Sequence, residues 1–232
     1  MRIADNVEIL EINVQKMGTY YPVLLWDDQN VVLIDTGYPG NFELLQTALE
    51  GCGLSAEQVT KVILTHEDID HIGNARLFKE KGAEIMASQA ETPRIQGEQP
   101  LTKIADMEAH LDELPPERRS FYDFLKMSAP ELSVPVDTQL TDGQVIDACG
   151  GIKVVSTPGH TPGHIALLLQ ESGLIVCGDA ANISDGQLVG ANPPMTHNAD
   201  DAAKSLARIK ALDVSGYACY HTGYLAKTPR KE

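Results

Sequence analysis

Basic residues are scarce in this sequence. Eighteen lysines and arginines stand against 33 aspartates and glutamates, a net charge of −15, and no local cluster of lysine or arginine offsets the balance. Such a surface repels polyanions, so neither nucleic acid nor an anionic membrane face is an expected partner. Long apolar runs are missing too: nothing approaches the roughly 18 consecutive apolar residues of a membrane span. The opening residues, MRIADNVEILEINVQ, alternate and carry charge throughout, without the apolar core of a secretory leader. Cysteine is sparse: Cys52, Cys149, Cys177 and Cys219 are far apart and form no CxxC pair. Reduced thiols and a cytoplasmic location are therefore expected. The expected partner is a small-molecule substrate, met by a monomer or a homodimer.

What is present is enough for one substantial core. A chain of 232 residues with 43% hydrophobic content reads as a single α/β domain. Strands are expected over 7–14, 20–26, 31–35 and 61–65, with a helix over 41–50 and a capping box at Ser55-Ala56-Glu57-Gln58. A helix over 74–81 and a strand over 83–88 follow. Residues of about 89–135 then break the rhythm. Leu101, Ile104, Met107, Leu111 and Leu114 recur at helical spacing and Pro115-Pro116 closes the run, so this is expected to be a helical lid insertion. Hairpins are expected at 144–157 and 164–179. A helix over about 199–211 and a last strand, Tyr217-Ala218-Cys219-Tyr220, complete the pattern.

The stretch Leu64-Thr65-His66-Glu67-Asp68-Ile69-Asp70-His71 places two imidazoles and three carboxylates within six residues, directly behind the apolar run Val62-Ile63-Leu64. Carboxylates packed at a buried strand end repel one another unless something cationic joins them. Glu67 is expected to face solvent or cap the next helix. Other imidazoles and carboxylates occupy comparable places. His160 follows the strand 152–157, Asp179 ends the run Leu174-Ile175-Val176-Cys177-Gly178, and His221 ends the final strand. Together they form a nitrogen and oxygen donor set sufficient for two divalent ions.

The ordered elements Asp35-Thr36-Gly37, His66-x-Asp68-x-Asp70-His71, Thr157-Pro158-Gly159-His160-Thr161-Pro162-Gly163-His164, Gly178-Asp179 and His221 resemble the metallo-β-lactamase fold superfamily over essentially the whole chain. The resemblance implies a four-layer αββα sandwich with metals at one edge of two packed sheets. It assigns His66, Asp68 and His160 to a first metal, Asp70, His71 and His221 to a second, and Asp179 as the bridge. Asp35 and His164 are then residues that brace the ligands. The departure is at position 68, where most hydrolases of this superfamily carry histidine and the flavodiiron branch carries glutamate. Two divalent ions, a bridging hydroxide and the carboxylates of Asp68, Asp70 and Asp179 sum to zero charge, whereas histidine at 68 would leave +1. Zn²⁺ is the first expectation for both ions, and the added oxygen donor makes Mn²⁺ or Fe²⁺ competitive.

What the resemblance implies for function is a binuclear metal-dependent hydrolase, attacking a small ester, thioester, lactone or amide with a metal-bound hydroxide. Asp70 would orient the nucleophile and carry a proton. Apart from the resemblance, Tyr224, three residues past His221, is expected to contact a substrate carbonyl. Two other readings stay open: an iron-dependent oxidoreductase with a separate electron donor, and a non-catalytic metal or small-ligand binding protein.

Overall fold

Alternation in the first residues builds sheet, but not as one strand. In the computed structural model, which describes residues 1–15 and 17–227, the chain opens with β1 (Arg2–Ala4) and β2 (Val7–Ile9). A detached hairpin follows, β3 (Ile12–Val14) with β4 (Gly18–Tyr20), so the expected strand 7–14 is split after Ile9. Leu10 donates its N–H to Pro22 O at the split. Then come β5 (Val23–Trp26), β6 (Val31–Ile34) and helix α1 (Phe42–Gly51), which buries Leu45 and Leu49 one turn apart. Strand β7 (Lys61–Leu64), the short helices α2 (Ile69–Ile72) and α3 (Ala75–Glu80), and β8 (Glu84–Ser88) complete this half.

The insertion consists of α4 (Thr92–Ile95), α5 (Thr102–Glu108) and α6 (Pro116–Leu132). Proline at the first position of α6 starts that helix without losing a needed N–H. Beyond it lie β9 (Thr138–Leu140), β10 (Val145–Ile146), β11 (Ile152–Ser156), β12 (Ile165–Leu169) and β13 (Leu174–Val176). A hairpin absent from the sequence-based expectations, β14 (Ala181–Ser184) with β15 (Gln187–Gly190), comes next. Helix α7 (Ala199–Ala211) is capped by the Asn198 side chain, which accepts the Asp201 N–H at 3.1 Å. It leads into β16 (Gly216–Cys219) and β17 (Gly223–Ala226), so the strand expected to be last has one more beside it.

Two sheets carry the fold. One runs β1-β2-β5-β6-β7-β8-β9 and the other β10-β11-β12-β13-β16-β17. Their facing sides meet in a core that includes Val23, Leu25, Val32, Ile34 and Ile63 from the first sheet and Val154, Leu167, Leu174 and Val176 from the second. The alternate residues Leu24, Leu33, Val62 and Leu64 point outward into a layer with Leu45, Leu49, Phe78, Ile104 and Leu125. On the far side Val155, Ala166 and Ile175 pack with Ile209 of α7. The protein is therefore a four-layer αββα sandwich, with the insertion extending the first helical layer.

The parallel strands β6, β7 and β8 end at the same edge, where the loops after β6 and β7 cross. Gly73, which follows α2, is pressed against one of these loops. A Cβ there would lie 2.3 Å from Gly37 O and 2.4 Å from Pro39 N, both backbone atoms. Gly73→Ala is expected to destabilise the fold by about 2–3 kcal/mol, since neither loop can yield without dragging strand ends. Urea unfolding of the two proteins checks this; equal midpoints would contradict the packing described.

Candidate metal centre

The site is assembled from loops that leave both sheets at the same edge. His66, Asp68, Asp70 and His71 lie on the loop after β7 and the helix α2; His160 follows β11, Asp179 follows β13, and His221 follows β16. Thr65 O accepts the Ile165 N–H at 3.0 Å, tying the first sheet to the second beside the site.

Asp35 sits below these residues. It is fully buried and holds a left-handed φ of 63°. One carboxylate oxygen accepts the Thr65 N–H at 2.8 Å; the other accepts the Thr65 hydroxyl and His71 Nδ1, both at 2.8 Å. The carboxylate can only accept, so His71 Nδ1 carries a proton. The Thr65 hydroxyl, having given its hydrogen to Asp35, accepts from His66 Nδ1 at 3.0 Å. Both imidazoles thus turn Nε2 inward, and neither Nε2 has a hydrogen-bond partner despite burial. His164 does the same work for Asp179: its Nε2 accepts the Asp179 N–H at 3.0 Å, and its Nδ1 meets Thr157 Oγ1 at 2.8 Å. Gly178 makes room for this, because a Cβ there would lie 2.6 Å from His164 Nε2.

The inward atoms form two groups, each within 4.8 Å internally: His66, Asp68, His160 and Asp179, and Asp70, His71 and His221. Asp179 joins them. Its Oδ1 is 3.4 Å from His71 Nε2, and its Oδ2 is 3.4 Å from His160 Nε2 and 3.2 Å from His221 Nε2. Asp68 Oδ2 lies 2.9 Å from His160 Nε2 and 3.2 Å from His66 Nε2. Orphaned imidazole nitrogens converging with carboxylate oxygens fit divalent cations and have no other evident use in a buried edge. All seven donor residues read from the sequence come together, with Asp35 and His164 directly behind them.

Tyr224 does not join them. Its ring packs over Gly216 on β16 and against the core between the sheets, and it is absent from the cavity wall described below. Pairing of β17 with β16 turns the side chain to the inner face, which spacing from His221 alone does not reveal. Other residues at the site carry no signal in the sequence. Tyr220 stacks on His71 with ring centroids 3.8 Å apart, donates its hydroxyl to Asp70 O at 2.6 Å and accepts the Gly37 N–H. Glu67, expected to face solvent or cap the following helix, is fully buried and accepts the Thr102 N–H of α5 at 2.6 Å. Lys103, the residue after Thr102, donates to Asp68.

Charge is finely opposed here. Burial and the neighbouring His71 push the His66 imidazole down to about 4, keeping it neutral at pH 7. Burial also pushes His71 down, but Asp35, Asp179 and Asp70 outweigh it and raise His71 well above the usual histidine value. Burial raises Asp68, yet Lys103 and His66 bring it well below the usual carboxylate range. For Lys103 itself, burial acts downward and Asp68 more than offsets it, so the ammonium is retained.

A cavity of about 530 Å³ opens above the donors. Ile69, Leu101, Phe121, Leu125, Val189 and Met195 give it an apolar wall, and Tyr38, Asn182 and Asn192 add polar groups. Leu101, Phe121 and Leu125 come from the insertion, which therefore forms one wall of the chamber.

The family model for the metallo-beta-lactamase superfamily matches residues 19–221. The chain is 24% identical over 224 residues to the probable metallo-hydrolase YflN of Bacillus subtilis, covering 87% of this chain and 79% of that protein. It is 27% identical over 177 residues to the hydroxyacylglutathione hydrolase GloC of Haemophilus influenzae, covering 75% and 71%. A metallo-beta-lactamase family protein of Thermus thermophilus superposes with a TM-score of 0.78 at 25% identity, covering 97% of this chain and 76% of that one. The chain belongs to the metallo-β-lactamase superfamily, whose members among these relatives include metal-dependent hydrolases.

A cation that binds His71 Nε2 must displace the proton that its carboxylate neighbours hold there. Titration of metal-free protein with Zn²⁺ or Mn²⁺ near neutral pH is expected to release about one proton per His71, with affinity rising as pH rises. Calorimetry in two buffers of different ionisation enthalpy measures this. Identical heats in both buffers would contradict the assigned charge of His71.

Proposed function

We propose that this member of the superfamily is a binuclear metallo-hydrolase acting on a small ester, thioester, lactone or amide. The observation that carries the reading is Asp179 standing between two converging donor groups, at the floor of an apolar-walled cavity of about 530 Å³. His66, Asp68 and His160 would hold one divalent ion, Asp70, His71 and His221 the other, with Asp179 shared. Zn²⁺ is the first choice, and the oxygen-rich set also suits Mn²⁺ or Fe²⁺. Such ions, when bound, supply Lewis acidity and lower the pKa of water.

The remaining work falls to the chain. Asp70 faces Asp179 across His221, and Asp70, whose carboxyl is raised by burial, would take up the proton of the attacking water. Burial and the surrounding carboxylates, Asp70 foremost, raise the Tyr38 phenol far above its ordinary value. It stays protonated and offers a hydrogen to an oxygen on which charge develops. The insertion's apolar side chains exclude water and receive the acyl or leaving group. The acidic surface suits a neutral or locally cationic small molecule approaching from solution, in a cytoplasmic setting.

The test is hydrolysis of chromogenic esters, thioesters, lactones and amides by metal-loaded protein, before and after chelation. Chelation should abolish turnover, and His160→Ala or Asp179→Asn should each lower kcat/KM by more than about a hundredfold, beyond what supporting residues cost. Tyr38→Phe should lower kcat by about tenfold or more with little change in KM. Turnover that survives chelation and both ligand substitutions would overturn the proposal.

A further inference from the structure

The dipeptide Glu67-Asp68 grips the insertion twice. Glu67 Oε1 takes the Thr102 N–H at the start of α5, and Asp68 Oδ2 takes the Lys103 ammonium. Glu67 is fully buried, with Arg94 Nε 3.6 Å from its other oxygen. Leu101, Thr102 and Ile104 are buried around Lys103, so the backbone that presents the lysine is fixed. Its side chain is 14% exposed, and Nζ stands 3.3 Å from His160 Nε2, the nitrogen directed into the first donor group. Among the described residues lining the cavity, it is the one lysine or arginine. The second group, Asp70, His71 and His221, has no such neighbour among them.

We propose that Lys103 is the resident cation of the first donor group: its ammonium holds Asp68, and a divalent ion entering beside His66 and His160 must displace it. This rests on the metal-centre reading above. A monovalent and a divalent cation a few ångströms apart repel strongly even in a partly screened site, so entry at the first group forces Nζ off Asp68. In the second group the charge to be displaced is the His71 proton, which leaves to solvent, whereas Nζ stays tethered by its own side chain beside an ion in the first. Occupancy is therefore ordered, with the Asp70–His71–His221 group loaded first. The same residue restores the charge that a carboxylate at position 68 removes. Asp68 with Lys103 is neutral as a pair, as a neutral histidine at 68 would be.

Calorimetric titration of the metal-stripped protein with Mn²⁺ and with Zn²⁺ tests this without reference to turnover. The wild type should bind two equivalents, the weaker at least about tenfold below the tighter. The weaker class, identified as the one lost in His160→Ala, should tighten about tenfold or more in Lys103→Met, while the tighter class stays within about threefold. Lys103→Arg, which keeps the positive charge, should resemble the wild type, and melting curves confirm that each variant is folded. An unchanged or weakened second class in Lys103→Met, or Met and Arg variants that behave alike, would overturn the role of Lys103 while leaving the metal centre standing. No binding by any of the proteins, wild type included, would remove the metal centre and this inference with it.

Discussion

The Asp35 carboxylate is the constraint on which the site depends. It sits at the end of β6 in a left-handed conformation that a residue other than glycine adopts only at a cost. In return it draws together the N–H and hydroxyl of Thr65 at the end of β7 and the imidazole of His71 on α2. Through Thr65 its influence reaches His66. One acceptor therefore fixes the Nδ1 protons and ring directions of two histidines and turns two buried Nε2 atoms toward the site. Buried nitrogens without hydrogen-bond partners are uncommon in a protein core, and a ligand at this edge would satisfy both.

The sandwich explains why this arrangement can be held so tightly. Alternation along β6, β7, β11 and β12 sends one face to the core between sheets and the other to the helical layers. The strand ends are thereby locked from both sides. Donor residues placed two to seven positions beyond the ends of β7, β11, β13 and β16 inherit that rigidity, while the chamber above them is shaped by the insertion and the β14–β15 hairpin. The donor atoms and the chamber walls thus come from different parts of the chain, which meet where Lys103 of the insertion holds Asp68.

Much of this is legible in the sequence. The donor residues follow apolar strand signatures, and their spacing is dictated by strand ends, so residue type and place agree. Helices α1 and α7 and the insertion declare themselves through periodicity and caps. Contacts between distant segments do not. Lys103 lies 35 residues from Asp68 on an amphipathic helix, where a lysine ordinarily faces water; only the docking of Thr102 on Glu67 turns it inward. Glu67 misleads for the same reason, since a carboxylate beside two others looks exposed until its helix partner is known. Tyr224 misleads the opposite way: its closeness to His221 in sequence suggests the cavity, but strand pairing reverses its face. The split of 7–14 reflects a tertiary hydrogen bond from Leu10 to Pro22 that overrides a continuous alternating pattern.

The aspartate at position 68 ties these points together, because it joins the donor set and is also held by Lys103 of the insertion. Everything proposed for the site depends on whether the converging atoms hold metal. The most direct measurement is anomalous diffraction from crystals of the protein saturated with Mn²⁺ or Zn²⁺. Two peaks are predicted about 3.5–4 Å apart, one within bonding distance of His66 and His160, the other of Asp70, His71 and His221, with Asp179 between them. Peaks elsewhere, or none at the converging nitrogens, would contradict it.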